Sequence, residues 1–170
     1  MNKKSANYKF DDITIGLTKE FSIEITESMI NNFAEFSGDY NELHMDENYA
    51  STTKFGKRIC HGMLLASFFS RLVGMSIPGK NALYFSQSIN FQSPCFIGDQ
   101  ILVRGEVIEK SDSTHIITIK TTIFNQDGKC LIDGIAKVMV QSNDSWMCCW
   151  NRVRSYLRLA FWIPPQRLRV

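Results

Sequence analysis

HGMLLASFFSRLVGMSIPG, residues 61–79, decides how this chain folds. The run is apolar at nearly every turn, and its spacing predicts a helix that stops at Pro78-Gly79. A helix that is apolar almost all round belongs inside a protein, not on its surface. It is not a membrane span, because the longest apolar run, GMLLASFF, falls far short of the roughly 20 residues that a bilayer requires. Something must therefore cover it. Downstream there are only strand signals: 82–92, 99–111, 114–126 and 129–141, with Ser-Asp-Ser and Asp-Gly-Lys marking tight turns between runs. One apolar helix followed by an antiparallel meander predicts an α+β fold with the sheet wrapped around the helix.

Upstream, FSIEIT (21–26) alternates and is rich in β-branched residues, so it reads as a strand. Thr26 or Ser28 can cap a helix with apolar residues at Met29, Ile30, Phe33 and Phe36, and Gly38 supplies its C-cap. DENYASTTKFG (46–56) reads as a short helix or two turns stopped by Gly56.

Composition narrows the function classes. At 170 residues and a net charge of +2, the chain has room for one domain and no strong electrostatic bias toward nucleic acid or membrane. The five cysteines are scattered, with no Cys-x-x-Cys pair, as expected of reduced thiols in a cytoplasmic protein without a zinc site. MNKKSANYKFDD at the start lacks the apolar core of a secretory signal. The last 29 residues differ in kind: from Ser142 onward come all three Trp, five Arg, no Lys and a single acid. The main domain is therefore expected over 1–141, and 142–170 as a basic, Trp/Arg-rich appendage. WNRVRSYLRLAFW within it reads either as a basic amphipathic helix or as a segment without a selected role.

Two motifs carry chemistry. SGDYNELH (37–44) places Asp39 and His44 five positions apart. On one helix they would lie about 140° apart, so they can act together only if the stretch is a loop. Gly38, Asp39 and Asn41 favour that loop. An acid and an imidazole in one cleft can flank a water, one taking a proton and the other supplying one. The same residues would equally serve as a turn, with Asp39 capping the next element and His44 half-buried. CHGMLLAS (60–67) is the second motif, where Gly62 at a helix N-terminus exposes amides that can polarise a carbonyl oxygen. Against this stands Gly62 as a close-packing residue, with His61 as a cap or turn residue. Ser67 and Ser70 each can bond the preceding turn's carbonyl, and Ser70 can alternatively orient Asp39.

SGDYNELH followed 17 residues later by HGMLLASFFSRLVG resembles the hydratase-2 signature of the MaoC-like dehydratases, within the hot-dog superfamily. STTKFGKRICHGMLLAS, IPGKNALYFSQSINFQSPCFIGDQ and the late strands extend the likeness over roughly residues 10–141, nearest to bacterial (R)-specific enoyl-CoA hydratases that feed polyhydroxyalkanoate synthesis. The resemblance implies a homodimer with Asp39 and His44 as the catalytic pair, Asn41 shaping the loop, and Gly62 polarising a thioester carbonyl. It implies a supporting hydroxyl at Ser70. Val73 and Gly74, one turn further on, are candidates to bound the acyl chain by helical spacing, and packing roles suit both as well. Glu42 departs from the family pattern, which has Pro there; proline would stiffen the loop by fixing φ. The implied reaction is reversible syn hydration of a trans-2-enoyl-CoA, with no metal or other cofactor and CoA entering as part of the substrate. An acyl-carrier-protein dehydratase, a thioesterase and a non-catalytic acyl-CoA-binding module share the fold and remain alternatives.

Overall fold

The computed structural model describes residues 4–141; the Trp/Arg-rich segment, and the domain boundary expected at 142, lie outside the described residues. Five strands, β1 (Thr18–Glu24), β2 (Ala82–Phe91), β3 (Gln100–Ser111), β4 (Ile116–Phe124) and β5 (Cys130–Val140), form one sheet in the order β1-β3-β4-β5-β2. Every neighbouring pair is antiparallel. The strands predicted from sequence agree to within a few residues, because β-branched alternation is strong in each. β4, IITIKTTIF, is almost wholly β-branched and occupies the middle of the sheet.

Four helices lie between β1 and β2. Helix α1 (Glu27–Ser37) starts at Thr26, whose hydroxyl accepts from the Met29 amide, and ends at Gly38 with φ of 76°. That left-handed turn is open to glycine at little cost. Two short helices follow, α2 (Glu42–Met45) and α3 (Glu47–Ser51), and then the central helix α4 (Gly62–Arg71). Leu64, Leu65, Phe69 and Leu72 are buried in one core with Ile101, Val103, Ile123 and Ile132 of the sheet. Each such side chain, fully removed from water, stabilises by roughly 1.5–3 kcal/mol. The approach is close enough that Gly105 of β3 cannot be larger: a Cβ there would sit 2.6 Å from Leu72 Cδ2. A sheet packed around one buried helix is the hot-dog arrangement that the resemblance implied.

Two expectations about the central helix need correction. Its α-helical part is only ten residues long, and residues Leu72–Ser76 continue as a π-helical turn. It is also not buried all round. Met63, Ser67 and Ser70 are exposed and Gly74 is partly so, which at i, i+4, i+7 and i+11 makes one open stripe along the helix. The stripe escapes a reading by residue type, because Met63 is apolar and yet 58% exposed.

Candidate active site

The first site residue follows directly from the end of α1. Gly38 turns the chain, and residues 38–41 form a loop in which the Asp39 carboxylate accepts from the Asn41 amide at 3.3 Å. Asn41 in turn caps α2, its side-chain oxygen accepting from the Leu43 amide at 2.9 Å. This corrects the sequence reading in two ways: Asn41 is the cap where Asp39 was an alternative, and His44 stands on a single helical turn, with only Asp39 in the loop. Because the backbone changes direction between them, the 140° argument does not separate the two side chains. Asp46 then caps α3 through the Tyr49 amide at 3.0 Å, as a solvated helix start should.

His44 is oriented from behind. Its Nδ1 lies 2.9 Å from the Ile59 carbonyl oxygen, and a carbonyl can only accept, so Nδ1 carries the proton. In the neutral ring, Nε2 is then left with a lone pair. The same residue grips the α2 backbone, the Ile59 amide donating to the Leu43 carbonyl at 3.3 Å. Arg58, beside it in sequence, pairs with Glu27 at the start of α1 and with Glu47 at the start of α3. Segment 58–59 thus fastens the elements on both sides of the loop. Nothing in the spacing of Arg58 or Ile59 pointed to this.

Asp39, His44 and His61 converge: one ligand-capable atom from each lies within 4.8 Å of the others. A water donating two hydrogen bonds of about 2.8 Å at a near-tetrahedral angle spans acceptors roughly 4.6 Å apart. An Asp39 carboxylate oxygen and a His44 ring nitrogen no more than 4.8 Å apart are within reach of a single water. The same three donors are also the one trio among the described residues with metal-compatible spacing.

His61 occupies the N-cap position of α4, but its side chain does not cap the helix. Its Nε2 lies 3.0 Å from the main-chain oxygen of Asp39, so Nε2 carries the proton, and its ring centroid lies 4.0 Å from that of His44, the two planes tilted by 32°. Burial pushes its pKa below the ordinary histidine value, and the nearby His44 adds to the same direction, outweighing the bond to Asp39. A cap or turn role for His61, the alternative that the sequence offers, does not describe this placement; the signal for it is a histidine opening the most apolar helix of the chain.

Gly62 is the first residue of α4, where the opening amides have no intrahelical acceptor and no side chain caps them. A Cβ at Gly62 would lie 2.6 Å from Phe91 Cε1, so the ring of Phe91, 57% exposed, fills the space that glycine leaves. The close-packing role is therefore real, beside any role of the amide. Ser70 is exposed and forms no hydrogen bond to Asp39 among the described residues, whereas Ser67 donates to the Leu64 carbonyl at 2.6 Å. Val73 is 1% exposed and packs in a second core with Phe10, Ile13 and Ile77. At Gly74 an added Cβ would meet nothing within 4 Å.

The sequence profile of the MaoC like domain matches residues 12–127, which include every one of these positions. The chain belongs to the MaoC-like dehydratase family. Among relatives, an (R)-specific enoyl-CoA hydratase of Aeromonas caviae is 44% identical over 106 residues, spanning 62% of this chain and 79% of that one. A mitochondrial 3-hydroxyacyl-[acyl-carrier-protein] dehydratase of Arabidopsis thaliana is 37% identical over 75% of each chain. Among solved structures, the unliganded R-hydratase of Pseudomonas aeruginosa superposes with a TM-score of 0.78 at 34% identity, over 82% of this chain and 89% of that one. The hot-dog fold and the MaoC-like membership expected from the two motifs are thus both found.

Proposed function

We propose that this MaoC-like chain is an (R)-specific enoyl-CoA hydratase, adding water reversibly and with syn geometry across a trans-2-enoyl-CoA. The observation that carries the reading is His44: Nδ1–H is given to the Ile59 carbonyl, and the ring stands within 4.8 Å of the Asp39 carboxylate. The pair presents two acceptors to one water. As the water oxygen attacks the β-carbon, one of the two takes a proton from it, and electron density moves through the α-carbon to the thioester oxygen. The Gly62 amide, at the positive end of α4, stabilises that developing charge. The pair then returns a proton to the α-carbon, so it ends in its starting protonation state. Which of Asp39 and His44 moves first is a property of the coupled pair.

The addition is redox-neutral and asks only for proton transfer and carbonyl polarisation, so no cofactor beyond the CoA of the substrate is proposed. Of the two acyl-pocket candidates Gly74 is the better, since it has open space where Val73 is locked in the core. We also propose a homodimer. The open stripe of α4 and the edge strand β2, which exposes Leu83, Phe85 and Phe91, are surfaces that a second copy would cover. Among the described residues no helix is long and apolar enough to cross a membrane. A cytoplasmic location fits the unpaired thiols of Cys60 and Cys95.

Loss of enoyl absorbance on crotonyl-CoA, with chiral analysis of the product, tests the reading: an (R)-3-hydroxyacyl product is expected, and an (S) product or none would overturn it. The relative from Arabidopsis supports a second reading, dehydration on acyl-carrier-protein thioesters. Turnover of that carrier's thioester and not of CoA thioesters would select it.

A further inference from the structure

We propose that His61 is a positioning residue, which locks the Asp39 loop to the N-terminus of α4 and so holds the acid/base pair and the carbonyl-polarising amide in one frame. The inference rests on the function proposed above. Its geometry is direct. His61 Nε2 donates to the Asp39 main-chain carbonyl at 3.0 Å across 22 residues of sequence. The next peptide bond along the chain is the one whose N–H belongs to Gly62. One hydrogen bond and one imidazole therefore connect the base loop to the oxyanion donor. The ring is also wedged between His44, at a centroid distance of 4.0 Å, and Phe33, at 5.0 Å, which fixes where His44 can stand.

Stability does not explain a histidine here. The residue is 1% exposed, and Nδ1 has no hydrogen-bond partner. A buried, unpaired acceptor costs free energy, and apolar replacement of such a group at equal shape is close to neutral or stabilising. The Asp39 carbonyl it serves belongs to an exposed residue, where water can take over the bond. Only the placement of Asp39 relative to Gly62 is then lost.

His61→Phe keeps the ring and removes the donor; His61→Gln returns an N–H near the position of Nε2. Misplacement by about 1 Å can cost on the order of 100-fold in rate. In the full-length protein, His61→Phe should lower kcat on crotonyl-CoA by about 10- to 100-fold, with KM little changed and the melting temperature equal or higher. His61→Gln should recover most of the rate. The 15N–1H signal of the Tyr40 amide, whose peptide carbonyl is that of Asp39, should shift in His61→Phe and return in His61→Gln. Wild-type kcat in His61→Phe overturns the proposal, as does a rate loss that tracks a fall in melting temperature without rescue by Gln. If wild type turns over neither thioester, the hydratase reading fails by itself. The Tyr40 signal then still decides whether His61 holds the loop, and an unmoved signal overturns it.

Discussion

Replacing Glu42 by proline should stabilise this protein, although it places the most helix-averse residue inside the active-site motif. Asn41 has φ of −53° and ψ of 132°, the extended region that a residue before proline must adopt. Glu42 is the first residue of α2, where proline is favoured because that amide has no helical acceptor. The loop's amide bonds come from Leu43, His44 and Met45, and none from Glu42, so no hydrogen bond is lost. Its side chain is exposed and takes part in no ion pair among the described residues. Restricting the unfolded chain at such a position stabilises by about 0.4–1 kcal/mol. Removing an acid from the first turn offsets about 0.3 kcal/mol, the low end for an exposed one-turn helix. With an unfolding entropy near 2.1 cal/mol/K per residue over roughly 140 residues, the midpoint should rise by about 0.3–2.4 °C. Thermal unfolding followed by circular dichroism, beside the hydration rate, checks both halves. A lowered midpoint would refute the backbone argument. An unchanged midpoint with a large loss of rate would show that the loop must flex during turnover.

Gly62→Ala brings a methyl to 2.6 Å from Phe91 Cε1, so the exposed ring must retreat; the fold should survive, the hydration rate should fall, and Phe91→Ala in the same chain should restore part of it. Gly105→Ala drives a methyl to 2.6 Å from Leu72 Cδ2 and 3.1 Å from Ile119 Cγ2, and denaturant titration should show a loss of about 1–3 kcal/mol. The depressed pKa of buried His61 has a definite sign: below its ordinary value of 6.5 the unfolded chain binds a proton that the native state does not. Stability from this group is therefore complete above that pH and falls as the pH drops through it toward the folded value; melting temperatures from pH 8 to 5.5 should show a decline that is shallower in His61→Phe.

Strong local signals were legible in the chain itself. β-Branched alternation gave all five strands, and Thr26 and Gly38 bounded α1 as their side chains and backbone require. The two motifs brought Asp39, His44 and Gly62 to one end of α4, and that end is where they stand. What escaped the sequence depends on contacts across the fold. The helical turn at Glu42–Met45 is too short to show a period, and it forms because Asn41 caps it and Ile59 grips its backbone. The open stripe at Met63, Ser67 and Ser70 is invisible by hydropathy, since exposure of Met63 is decided by what the sheet fails to cover. His61 was visible as a residue but not as a link, because its partner is a main-chain oxygen 22 positions away. For Ser70 the helix position offers either a bond to the preceding turn or a hydroxyl turned to Asp39, and among the described residues no hydrogen bond joins Ser70 to Asp39.

In the proposed reaction Asp39 and His44 act on one water as a pair. Its most direct test is the initial rate of crotonyl-CoA hydration by wild type, Asp39→Asn and His44→Gln, with circular dichroism confirming the fold of each. Both substitutions keep size and remove proton transfer, so each should lower kcat by about 100- to 10,000-fold. Hydration at near the wild-type rate by either folded variant would contradict the account.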